Sequence, residues 1–479
     1  MYINGQFVDA ASGDTFESDD PFQGGPWALI PRGAAADVDR AVRAAHRAFT
    51  SGDWPRLTAS RRGALLRRLG DLVTERSKAL AEIEVRDNGK LYAEMSMQTA
   101  YMAQWYHYYG GLADKIEGAV LPADKPDTFN YTRYEPLGVV AAIVPWNSPL
   151  LLAAWKLAPA LAAGNTVVIK PSEFTSASTL EFMKLVEDAG FPPGVVNVVT
   201  GFGQDVGVPL VEHPLVAKVA FTGSDATGQR IYEAAARGLK RVTMELGGKS
   251  PNIVFDDANI ENAVKGVISG IFAATGQTCI AGSRLLVQKS IHDAFLEKLV
   301  AFARTAKMGN PMHADTQIGP VTNRPQFEKI LRYIDIAKSE GATPVLGGAR
   351  AERPECGSGW FVEPTIFEGV TNGMRIAQEE VFGPVLAVIP FTDEDEAIAI
   401  GNDVVYGLAA GVWTESMRRA LKMAEKLQAG TVWINTYRAV SYLSPFGGYK
   451  RSGIGRKKDF PEAMRTFSRV KAIQINLAG

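Results

Sequence analysis

From residue 138 onward the chain repeats one pattern: a short apolar run, a polar or glycine turn, then about ten to fifteen residues of helical periodicity. The runs are GVVAAIV (138–144), NTVVIK (165–170), VVNVVT (195–200) and VAKVAFTG (216–223), separated by helical stretches at 149–163, 175–188, 203–212 and 224–237. Strands this uniformly apolar are buried on both faces, which requires helices above and below them. The alternation therefore predicts βαβ units and a parallel, doubly wound sheet, with ligands beyond the carboxyl ends of its strands. A second series follows, with strands PNIVFD, SRLLVQ, PVLAVIPF, AAGVWT and TVWINT and helices at 258–272, 290–305, 325–339, 394–401 and 415–427. At 479 residues the chain exceeds what one core supports, and the second series reads as a second α/β domain. The first 115 or so residues read as mainly helical after a short strand-like start. TFNYTRYEP (128–136) alternates as an extended arm, and AIQINL (472–477) reads as a terminal strand that pairs with the arm or with a neighbouring subunit.

Charge and composition exclude several classes. Lys and Arg number 51 against 52 Asp and Glu, so no net field recruits nucleic acid or an anionic membrane. Two cysteines cannot build a disulfide framework, and five scattered histidines show no metal-ligand spacing; no metal is expected. The most apolar region, 138–164, is broken by Pro145, Asn147, Pro149, Lys156 and Pro159, which a membrane span would not tolerate. MYINGQFVDA lacks a basic segment followed by an apolar one, so a cytoplasmic location is expected.

Several short stretches carry chemistry-bearing residues beside turns. ATGQTCIAGSR (274–284) sets Cys279 among the smallest side chains, which leaves a carbonyl room to approach the sulfur; the alternative is an inert buried thiol. Glu245 closes an apolar strand before two glycines, as a general base in a water-poor cleft or as a simple cap. Asn147 in VPWNSP offers an amide donor to an oxyanion, or is a turn residue. Lys170 and Glu173 in IKPSE stand at a strand's carboxyl end, where sugar hydroxyls are gripped. FTGSDATG (221–228) runs from strand through a glycine turn into a helix, a weak dinucleotide signal that still offers peptide donors to a pyrophosphate. EEVFGP sets Glu380 and Phe382 before a strand.

In this order PWN, KPSE, FTGS, ELGGKSP, GQTCIAGSR, EEVFGPV and SPFGGYKRSGIGR closely resemble the NAD(P)-dependent aldehyde dehydrogenase superfamily of the non-phosphorylating, hydrolytic kind, along essentially the whole chain. The resemblance implies an α/β aldehyde dehydrogenase-like fold. Its Rossmann-like cofactor domain would span 1–119 and 138–247, its α/β catalytic domain 248–448, and a β oligomerisation arm and C-terminal tail 120–137 and 449–479. By similarity Cys279 is the nucleophile, Asn147 with the Cys279 N–H forms the oxyanion hole, and Glu245 activates the water that hydrolyses a thioester. Trp146, Lys170, Ser172, Glu173, Gly223, Ser224, Gly228, Leu246, Glu380 and Phe382 are implied cofactor contacts. A carboxylate at Glu173 accepts from a free 2′-hydroxyl and repels a 2′-phosphate, so NAD is expected over NADP.

By position, Ser148, Leu152, Trp155, Ala273, Thr278, Ile280, Arg438, Val440 and Phe446 are expected to line a substrate funnel for an apolar or aromatic aldehyde. Arg438 is either a solvated rim residue or the partner of a polar or carboxylate tail. A homodimer or homotetramer is implied. Many members carry a glutamate directly after GxGR, where this chain has Lys457; that puts a proton-relay role at this position in doubt, and Glu462 is a possible spatial substitute. Cys356 is assigned no role. The rival functions are a coenzyme A-acylating dehydrogenase, which retention of Glu245 opposes, and a non-catalytic binding protein on the same fold.

Overall fold

Strand Val139–Ile143 lies inside an eight-stranded sheet whose other strands run, in order, Gln6–Phe7, Tyr2–Ile3, Val196–Val198, Thr166–Lys170, then on its far side Val216–Thr222, Arg241–Glu245 and Gly453–Ile454. The five strands from Val196–Val198 to Arg241–Glu245 are parallel, and the flanking strands Tyr2–Ile3 and Gly453–Ile454 are antiparallel to them. The computed structural model describes residues 1–455 and 462–478; Lys457 and the Glu462 side chain lie outside what it describes. The apolar runs have their expected cause. Val139, Ala141 and Ile143 pack with Val38, Val42 and Ala45 of helix Ala35–Thr50 on one face. Val140 and Ala142 join the other face, with Leu66, Leu69 and Val73 of helix Ala59–Asn88 and Leu157 of helix Pro149–Ala162.

The second sheet has seven strands, in the order Thr343–Leu346, Thr365–Glu368, Val385–Phe391, Arg284–Gln288, Pro251–Val254, Ala409–Trp413 and Thr431–Ile434. All but the antiparallel edge strand Thr343–Leu346 run parallel. Two edge elements escape the sequence pattern. The hairpin Thr15–Asp20/Gly25–Pro31 is a separate two-stranded sheet whose first strand is acidic and whose second, though apolar, is bounded by prolines, and strand Thr343–Leu346 is only partly buried, so neither reads as an interior strand. The expected helix at 203–212 is a π turn, Gly203–Gly207, leading into helix Val208–Glu212 with a proline in its first turn. The C-terminal strand, Ser468–Asn476, is longer than expected and pairs antiparallel along the whole of arm strand Thr128–Pro136, whose other edge holds Val120–Leu121. No described helix is long and apolar enough to cross a membrane.

Asn165 fastens the base of this arm to the sheet. Its fully buried amide accepts from the Leu137 and Gly138 N–H groups at 2.8 and 3.0 Å and donates to the Ala160 and Phe467 carbonyls at 3.0 and 2.9 Å. Truncation would leave three buried backbone groups unsatisfied, since the Ala160 carbonyl keeps the residue 165 N–H, each costing about 1–3 kcal/mol less whatever relaxation recovers. Asn165→Ala is expected to destabilise the protein by about 3 kcal/mol or more, read as a lower thermal midpoint; an unchanged midpoint would refute the role.

Candidate active site

Four adjacent parallel strands of the first sheet end on one edge. Val139–Ile143 leads to Asn147, Thr166–Lys170 ends in Lys170, Val216–Thr222 leads to Gly223 and Ser224, and Arg241–Glu245 ends in Glu245. The second sheet contributes from the opposite end of its strands: Cys279 precedes Arg284–Gln288, and Glu380 and Phe382 precede Val385–Phe391. The segment 246–250 joins the two. A Cβ on Gly248 would lie 2.6 Å from the Cys279 carbonyl oxygen, so the nucleophile loop rests directly on this connection.

The loop before Cys279 is held in an unusual shape. Ala274, Thr275 and Gly276 have φ of 53°, 54° and 70°, a left-handed run that costs a β-branched residue most. Neighbours impose it. The Ala274 N–H donates to Glu94 Oε1 at 2.8 Å, and the Thr275 hydroxyl donates to the Gly319 carbonyl at 3.0 Å. At Gly276 a Cβ would sit 2.0 Å from the Gly383 carbonyl, which only glycine permits. The buried Gln277 is then fixed by the Thr322 N–H at 2.9 Å, and its own carbonyl accepts from Asn147 Nδ2 at 3.0 Å. That bond uses one of the two N–H groups of the Asn147 amide and aims the other.

Two cavities meet at the sulfur. The larger, about 480 Å³, is walled by Lys90, Glu94, Trp105, Ser148, Trp155, Thr278, Ile280, Arg438, Val440 and Phe446 among others; the smaller, about 130 Å³, by Trp146, Gly223, Ser224, Leu246, Gly247, Lys329, Glu380 and Phe382. Asn147, Leu152 and Cys279 belong to both walls. One expected funnel residue is displaced: Ala274 reaches the wall instead of Ala273, because the left-handed turn at 274 rotates the chain there. Lys170, Ser172, Glu173 and Gly228 stand outside the smaller cavity's wall. Lys170 pairs in register with Ile143 and is ion-paired with Glu173 at 3.3 Å. Gly228 packs beneath Leu246, where a Cβ would lie 2.5 Å from Leu246 Cδ2. Ser224 caps helix Asp225–Arg237 by accepting the Thr227 N–H. Glu245 is buried and lines neither cavity. Sequence reading missed Lys90, Glu94, Gln98, Tyr101 and Trp105; the helical spacing of Glu94, Gln98, Tyr101 and Trp105 was the available signal.

The electrostatics around the sulfur oppose ionisation in the ligand-free chain. Burial, then the charges of Glu380 and Glu245, push the Cys279 thiol up to about 12, while Lys90 pulls the other way. Glu380 is itself raised by burial, although the Gly248 N–H donates to its Oε1 at 2.9 Å. Burial lowers Lys90 to about 8 and Lys249 to about 7. Among the described residues no group of three or more His, Cys, Asp or Glu could hold a metal ion.

Residues 7–473 match the model of the aldehyde dehydrogenase family. An aldehyde dehydrogenase of Emericella nidulans is 46% identical over 478 residues, covering 100% of this chain and 95% of the relative. The (Z)-2-((N-methylformamido)methylene)-5-hydroxybutyrolactone dehydrogenase of Acinetobacter baylyi is 47% identical over 480 residues, covering 100% and 97%. Among solved structures, betaine aldehyde dehydrogenase of Staphylococcus aureus in complex with NAD+ superposes with a TM-score of 0.98 at 42% identity, covering 100% of this chain and 94% of that one.

Because the thiol is held protonated, alkylation of Cys279 by iodoacetamide in the absence of ligands is expected to quicken with each pH unit up to at least pH 10. Peptide mapping separates it from the buried Cys356. A plateau near neutral pH would show that the thiolate is already formed.

Proposed function

The chain belongs to the aldehyde dehydrogenase family and is an aldehyde-oxidising oxidoreductase; from that premise we propose that it uses NAD to oxidise an apolar or aromatic aldehyde to its acid through a thioester on Cys279. The observation that carries this reading is the position of Cys279 and Asn147 in the shared wall of two cavities, one for each reactant. The aldehyde enters the larger cavity; the Cys279 thiol passes its proton to Glu245, which releases it to solvent before hydrolysis, and the sulfur attacks the carbonyl carbon. The resulting oxyanion is held by the free N–H of Asn147 and the peptide N–H of Cys279. Bound NAD supplies the hydride acceptor. Glu245, close enough for its charge to bear on Cys279, takes a proton from the water that cleaves the thioester.

The residues present fit a dinucleotide. The helix N-terminus at Ser224 offers peptide donors to a pyrophosphate, with Gly223 and Gly228 at the turn. Glu380, packed against Gly247 where a Cβ would be 2.6 Å from its Oε2, would hold the nicotinamide ribose, and Trp146, Leu246 and Phe382 would flank the ring. Trp146 and Phe382 meet edge to face at 5.2 Å. Lys170, Ser172 and Glu173 would hold the adenosine ribose, the Glu173 carboxylate favouring NAD over NADP. The exposed apolar residues Val120, Leu121, Phe129, Val470 and Ile475 on the three-stranded arm suit assembly into a homodimer or homotetramer.

With benzaldehyde and NAD, wild-type protein is expected to form NADH and the free acid, and Cys279→Ala none. Glu245→Gln is expected to give a burst of about one NADH per site followed by slow turnover, the mark of a stalled thioester. Release of product only on addition of coenzyme A would instead establish the acylating alternative. Arg438, on the funnel wall with Nη1 donating to the Ser269 carbonyl at 3.2 Å, has further donors for a polar or carboxylate tail. Arg438→Ala is expected to lower kcat/KM about tenfold more for a carboxylated aldehyde than for an apolar one; equal losses make it a rim residue.

A further inference from the structure

We propose that Lys90 and Ser148 form an oxygen-anion site inside the funnel, which selects aldehydes carrying a carboxylate and disfavours those carrying a quaternary ammonium. This rests on the dehydrogenase reading and names its substrate class.

Lys90 is an unusual funnel residue because it is buried and incompletely satisfied. Helix Ala59–Asn88 ends at Gly89 in the left-handed conformation, and the Lys90 N–H donates back to Asn88 Oδ1 at 2.9 Å, which fixes the backbone at the funnel wall. The side chain is 2% exposed, and its ammonium donates to Ser148 Oγ at 2.8 Å. An ammonium carries three N–H donors, and among the described residues this is the one hydrogen bond Nζ makes. Neither neighbouring carboxylate forms an ion pair with it. Glu84 accepts from the Leu150 N–H at 3.0 Å, and Glu94 accepts from the Ala274 N–H at 2.8 Å. A buried cation without a close counter-ion is costly, and a bound anion relieves that cost.

Its placement decides the substrate geometry. Ser148 follows Asn147 directly, and Lys90, Ser148, Asn147 and Cys279 line one cavity. The space beyond is bounded by stacked Trp105 and Trp155, 5.9 Å between centroids, and by Phe446 edge-on to Trp155 at 5.0 Å. Aromatic walls alone would also suit a quaternary ammonium. Among the described lining residues Lys90 and Arg438 stand against the single carboxylate of Glu94, and like charge opposes a cationic substrate.

The test uses benzaldehyde, 4-carboxybenzaldehyde and 4-(trimethylammonio)benzaldehyde, with 4-tert-butylbenzaldehyde as the neutral isostere that controls for the bulk of the cation. Wild-type kcat/KM is expected to be highest for the carboxylate and lowest for the cation. The carboxylate-to-neutral ratio should fall about ten- to a hundredfold in Lys90→Met and be largely kept in Lys90→Arg. A cation oxidised as efficiently as the carboxylate, or a ratio unmoved by Lys90→Met, overturns the proposal. Binding is read without turnover from the thermal midpoint: terephthalate should raise it more than 4-methylbenzoate does in wild type, and this difference should shrink in Lys90→Met. If no aldehyde is oxidised, the dehydrogenase reading fails and the midpoint comparison alone decides the anion site. Should Lys90→Met not fold, Ser148→Ala and the wild-type anion-against-cation comparison decide it.

Discussion

The site exists because two sheets are brought together where segment 246–250 passes from one to the other. The first presents the carboxyl ends of its parallel strands, the second the amino ends, and segment 246–250 runs between them. Contact at Gly248 and Gly276 is too close for any side chain, since added carbons would fall 2.6 and 2.0 Å from carbonyl oxygens of facing loops. Bulk at either position would push the Cys279 loop away from Asn147 and Glu380. The chemistry therefore depends on backbone packed against backbone, with side chains added around that contact.

Such packing also carries the charge of the site. Arg284, fully buried at the start of its strand, donates to the Lys249, Ile400 and Gly401 carbonyls at 3.0, 2.9 and 2.8 Å and so ties the end of the connection to the second sheet. Carbonyls rather than carboxylates satisfy it, which keeps a cation in the core without an ion pair. The same economy recurs at Asn165, where one amide serves four backbone groups.

Much of this was legible in the residues, and what was not has physical reasons. Interior strands such as Val139–Ile143 are apolar on both faces and announce themselves; strand Thr15–Asp20, acidic and half exposed, does not. Cys279, Asn147, Trp146, Glu380 and Phe382 lie in short motifs beside strand ends, and the fold gathers them around the two cavities. Ala273 was misplaced by one residue because a left-handed turn leaves no mark in composition. Lys90 and Trp105 reach the funnel from helices or helix ends far upstream, through tertiary packing that local pattern does not encode.

The protonated state of Cys279 in the ligand-free chain has a chemical corollary. Peroxides attack thiolates, and a thiol held near pKa 12 by burial and by Glu380 and Glu245 exposes almost none. Burial and the two neighbouring carboxylates thus slow oxidation of the sulfur along with its ionisation.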